Sequence, residues 1–113
     1  MWIMVAGPYT SGAKGEDGLA ENLAAMNRAA HAVWQLGHVP VIGVNMALPV
    51  IGVAGDDQFD AIMMPLSLAL AERCDAVLRV GGPSKGADRE VELIRKKGGR
   101  VFRDLSEIPA GGR

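Results

Sequence analysis

Apolar positions along the chain change their period several times, and each change marks an element. Residues 2–6 form an unbroken apolar run that Gly7-Pro8 cuts off, the pattern of a strand buried on both faces and closed by a turn. From 17 to 36 the residues Leu19, Leu23, Met26, Ala30 and Val33 recur at helical spacing and Gly37 follows as a stop, which predicts an amphipathic helix. Residues 39–44 read as a second strand, with Pro40 near its start, where loss of a ladder donor is tolerated. A less regular helix over 59–73, a strand over 75–80, a helix N-capped by Ser84 and running to about 97, and a last strand around 100–102 complete the order.

Strands alternating with helices imply right-handed crossovers and a parallel sheet covered on both faces. The expected fold is a small α/β, doubly wound Rossmann-like or flavodoxin-like domain of four strands, with room for a fifth. The expected strand order is 2-1-3-4, which puts the switch point between strands one and three. There the Gly7-Pro8-Tyr9 turn and the Ser84 turn stand side by side, where ligands bind in open α/β sheets. At 113 residues the chain holds one domain, expected over 1–109, with 110–113 as a frayed tail.

The predicted 59–73 helix carries no charge from 61 to 71 and is apolar nearly all round. A small monomer does not bury such a helix on every side, so a homo-oligomer, dimer or tetramer, is expected through it. The alternative is that residues 45–57, read as a loop, fold over it. Pro65 implies that this helix starts there or bends. The charge-free stretch 39–55 contains Pro40, Pro49 and several glycines and reads as strand plus loop, not as a membrane span.

Charge narrows the function classes. Twelve basic against thirteen acidic residues leave a formal charge of −1, which offers no bulk attraction to nucleic acid or to a membrane surface. The run Arg95-Lys96-Lys97 with Arg100 reads as a solvated helix end. The opening MWIMVAGPYT lacks the basic start and long apolar run of a secretory signal, so a cytoplasmic location is expected. The single Cys74 belongs in the core, and neither it nor His31 or His38 has companions at metal-ligand spacing. Neither a metal nor another cofactor is expected, and both histidines read as structural.

Candidate chemistry concentrates in Gly81-Gly82-Pro83-Ser84-Lys85-Gly86-Ala87-Asp88-Arg89-Glu90. A strand passes through a glycine-rich turn into a helix whose N-terminus can hold an anion and whose second turn carries a carboxylate. The same residues also make an ordinary tight connection, with an acid placed to suit the helix dipole. Asp88 and Glu92 stand two residues from Glu90, so neither shares its helix face. Asp75 lies at the opposite end of its strand and reads as a structural cap or pair. Asn45 reads as a turn cap or as a group reaching a nucleobase edge, and Trp2 and Trp34 as core or interface bulk.

These residues resemble the nucleoside 2-deoxyribosyltransferase-like superfamily, in particular its small bacterial and phage branch. The resemblance spans most of the chain: Gly7-Pro8-Tyr9 after the first strand, Asn22 in the first helix, Gly37-His38-Val39-Pro40-Val41, Cys74-Asp75-Ala76, and Pro83-Ser84-x-Gly86-x3-Glu90. It implies cleavage of the N-glycosidic bond of a nucleoside or nucleoside 5′-monophosphate, with Glu90 as the nucleophile and Tyr9 orienting the glutamate or the sugar. It further implies that Gly7 and Pro8 border the substrate, and that Ser84 with the amides of Gly86 and Ala87 holds a 5′-phosphate. Serine at position 84 tilts the reading toward a nucleotide. One family feature is missing: the aspartate that serves the base falls near Ser67, leaving Asp57 or Asp60 as substitutes. The Gly-Gly-x-Gly-Thr-x-x-Glu motif of phosphoribohydrolases is echoed by Gly81-Gly82 and Glu90, though its spacing differs. The alternative is a nucleotide- or sugar-phosphate-binding module without turnover, or an oligomeric scaffold with a vestigial pocket.

Overall fold

The computed structural model describes residues 1–112. In chain order the elements are β1 (Trp2–Ala6), α1 (Gly15–Gln35), β2 (Val39–Val41), α2 (Gly43–Ala54), α3 (Phe59–Ala71), β3 (Ala76–Arg79), α4 (Lys85–Lys96) and β4 (Arg100–Phe102), with short 3₁₀ turns at Asp56–Gln58 and Leu105–Glu107. The sheet has four parallel strands in the order β2-β1-β3-β4, as the alternation of patterns predicts. Ile3 pairs with Ala76 and Ala6 with Arg79, so β1 and β3 end level with each other.

Side-chain alternation along the strands divides the core into two faces. Ile3, Val5 and Leu78 pack with Met26 and Val33 of α1, while Met4, Ala6 and Val77 pack with Val91 and Ile94 of α4. Cys74 is buried in the second cluster, and burial pushes its thiol up to about 11. Two structural readings hold here. Asp75 accepts a hydrogen bond from the Trp2 amide at 2.8 Å, and the buried His38 bridges the Met1 amino nitrogen at 2.9 Å and the Pro109 carbonyl at 2.6 Å.

The stretch read as strand plus loop differs. After a three-residue β2 the chain forms α2, in which Ala47 and Ile51 bury against Met63 of α3. Val44, Ala47, Leu48 and Ile51 stand at i, i+3, i+4 and i+7, a helical stripe. Gly43 lets the first turn of α2 come close to α3: a Cβ there would collide with the Ser67 side chain. Helix α3 also continues through Pro65 instead of starting at it. Pro49 and Pro65 both sit on exposed faces, as do Asn45 and Ala61, so water can serve the carbonyls that each proline leaves without a donor.

Segment 45–57 therefore does cover α3, as a helix and not as a loop. It leaves its own apolar side outward, with Met46 54%, Val50 42% and Val53 92% exposed. In the segment 110–113 expected to fray, the Gly111 amide donates to the Leu36 carbonyl at 2.8 Å, and Arg113 lies outside the described residues. The contact requires glycine at Gly37, where φ is +95° and a Cβ would meet the Gly111 carbonyl oxygen. Among the described residues no helix is long and apolar enough to cross a membrane.

Candidate active site

Beyond the carboxyl ends of β1 and β3, the chain leaves the sheet in two adjoining turns. The Val80 amide extends the ladder by donating to the Ala6 carbonyl at 2.9 Å, after which Gly7-Pro8-Tyr9 turns one way and Gly81-Gly82-Pro83 the other. They touch: a Cβ on Gly81, which has a φ of +75°, would stand 2.8 Å from Pro8 Cδ. Gly7 is equally confined, since a Cβ there would stand 2.9 Å from Val80 Cγ2. Above these turns opens a cleft of about 820 Å³, within the size range of small-molecule sites.

Seven of the predicted site residues line this cleft: Gly7, Pro8, Tyr9, Ser84, Gly86, Ala87 and Glu90. Asn45 does not. Because it belongs to a helix and not to a loop, it is fixed on the outer side of α2, where its Nδ2 donates to Asn27 Oδ1 of α1 at 2.8 Å. Asp60, in the first turn of α3, lines the cleft together with Ser67, while Asp57 does not. Phe59, Met63, Met64 and Val44 supply an apolar wall that only the packing of α2 on α3 can assemble.

Helix α4 begins as its residues demand. Ser84 has the extended backbone of an N-cap, and its Oγ accepts from the Ala87 amide at 3.1 Å. The Ala87 N–H is thereby spent on the cap. Among the described residues no acceptor meets the Lys85 and Gly86 amides, so these, and not the Ala87 amide, are the donors a phosphate would find. At Gly86 a Cβ would stand 3.1 Å from Met64 Sδ, and glycine keeps that end of the cleft open.

Glu90 is 7% exposed. Among the described residues its carboxylate accepts no hydrogen bond, and no side-chain oxygen or nitrogen is both buried and unpartnered, so the carboxylate oxygens meet the water of the cleft that Glu90 lines. Burial pushes its pKa up to about 7, and the positive charge of Arg79 acts in the opposite direction. Such a group changes charge near neutrality, as a catalytic carboxylate often does.

Two residues outside the predicted site shape it. Asn22 of α1, which also lines the cleft, donates from Nδ2 to the Tyr9 carbonyl at 2.7 Å and to the Ser11 carbonyl at 3.3 Å, holding the first turn in place. Arg79, at the end of β3, donates to the carbonyls of Val80 and Gly82 and to Asp88. The only sequence signal for Arg79 is a charge inside an otherwise apolar strand. No family model matches the chain, and no curated protein is significantly similar to it.

Proposed function

We propose that the protein cleaves the N-glycosidic bond of a nucleoside 5′-monophosphate, or of the free nucleoside, with Glu90 as the nucleophile. The observation that carries this reading is a buried carboxylate without a protein partner, opening on the cleft that also holds Tyr9 and the start of α4. In its ionised form Glu90 attacks the anomeric carbon while the bond to the base breaks. The bonding pair leaves with the base, which takes up a proton. Water or a second base then attacks the anomeric carbon of the glycosyl ester and releases Glu90 as carboxylate. The amides of Lys85 and Gly86 receive the 5′-phosphate, and the apolar wall of Phe59, Met63 and Met64 receives the base. Asp60, which also lines the cleft, serves as the acid that protonates it.

Incubation with a panel of deoxynucleoside 5′-monophosphates, followed by chromatography for free base, tests the reading. The expected result is release by the wild type and none by Glu90→Ala. A second reading, a nucleotide-binding module without turnover, draws support from the pKa of about 7, which leaves much of the population neutral and non-nucleophilic at pH 7. Retained binding without release of base would favour it.

We also propose that the chain self-associates. Support comes from the outward stripe of Met46, Val50 and Val53 on α2, which moves the expected contact from the 59–73 helix to the helix that covers it.

A further inference from the structure

Arg79 is placed unlike a surface cation. Its side chain is 9% exposed, while that of its ion-pair partner Asp88 is 66% exposed. A guanidinium held inside needs compensation for lost hydration, and three of its N–H groups find it. Nε donates to Asp88 Oδ1 at 3.1 Å, Nη1 to the Val80 carbonyl, and Nη2 to the Gly82 carbonyl at 2.8 Å. One side chain thus ties the end of β3, the turn before Ser84 and the first turn of α4. Two of its five donors remain uncommitted among the described residues.

The groups around Glu90 are few. Lys85 and Asp88 stand on its own helix, Tyr9 comes from the first turn, Asp60 from the start of α3, Cys74 from the core behind, and Arg79 from β3. Of these, Arg79 is the one whose charge opposes the effect of burial on Glu90.

We propose that Arg79 is a positioning residue for the Glu90 reaction, bracing the turn that presents Glu90 and the α4 amides to the cleft and supplying the cation that favours the ionised nucleophile. The proposal rests on the reading of Glu90 given above, but its electrostatic part can be measured without turnover.

Carboxyl-carbon NMR of the intact protein follows the titration of Glu90 in wild type, Arg79→Lys, Arg79→Met and Asp88→Asn. In Arg79→Met the midpoint moves up by about one pH unit, the scale of a lost neighbouring charge, and the acid limb of base release moves with it. Arg79→Lys keeps the charge and holds the midpoint nearer to wild type, while losing turnover through the loosened turn. Asp88→Asn leaves the cation in place and, because Asp88 is 66% exposed and burial and Arg79 are what act on Glu90, keeps the midpoint near wild type. An unchanged midpoint in folded Arg79→Met overturns the proposal. If that variant does not fold, an unchanged midpoint in Arg79→Gln, which keeps two N–H donors without the charge, overturns it instead. Wild-type protein that releases no base removes the reaction Arg79 would serve, a failure distinct from an unmoved titration.

Discussion

Glu90→Gln should stabilise the protein at alkaline pH and leave it almost unchanged at acid pH. In the unfolded chain the carboxyl titrates near its ordinary 4.5, and in the folded protein near 7. Between those values the folded state binds a proton that the unfolded state lacks, so this group's contribution to stability falls as pH rises through the window. Above pH 7 the full cost of ionising the buried group is present. At 1.36 kcal/mol per pH unit, a displacement from 4.5 to about 7 corresponds to about 3 kcal/mol. Glutamine keeps the shape without the charge, and Arg79 retains its pairing with Asp88, so no new unpaired cation is created. With an unfolding entropy of about 2.1 cal/mol/K per residue over 113 residues, the gain at pH 8.5 is roughly 12 °C in Tm. Thermal denaturation of both proteins at pH 4.5 and 8.5, followed by circular dichroism, measures it. An equal Tm difference at the two pH values, or destabilisation at pH 8.5, would show that Glu90 does not carry a buried charge in the folded protein.

The same titration governs the acid limb of the rate: kcat/KM for a deoxynucleotide should rise about tenfold per pH unit below 7 as Glu90 ionises, because that profile reports the free enzyme's essential groups. Steady-state assays from pH 5 to 9 check this. Ser84→Ala removes the α4 N-cap and should cost about 1 kcal/mol in urea denaturation, with KM raised more for a nucleotide than for its nucleoside. Val53→Glu, at a residue 92% exposed, should leave thermal stability within about 0.5 kcal/mol and yield a monomer by sedimentation velocity. A wild type that already sediments as a monomer would contradict the proposed self-association.

The sheet is legible in the sequence because β1 is an unbroken apolar run, β3 is apolar but for Arg79, and glycine follows each within two residues, and because Ser84 is both a good cap and a used one. Strand order then brings Tyr9 and Glu90 to one cleft. Helix α2 is hidden by its own composition. Gly43, Pro49 and Gly52 read as loop punctuation and mask the helical spacing of Val44, Ala47, Leu48 and Ile51; what overrides them is burial of Ala47 and Ile51 against Met63. Asn45 is misplaced for the same reason. Arg79 is invisible for another: its role depends on two turn carbonyls and an aspartate nine residues away, which only the folded turn brings together.

As nucleophile, the Glu90 carboxylate forms a covalent bond to the sugar. Acid quenching during turnover of a deoxynucleoside 5′-monophosphate, followed by peptide mass mapping, tests it most directly. The expected result is a deoxyribosyl phosphate ester on Glu90, absent from Glu90→Gln. Undiminished base release by Glu90→Gln, or an ester on another residue, would contradict it.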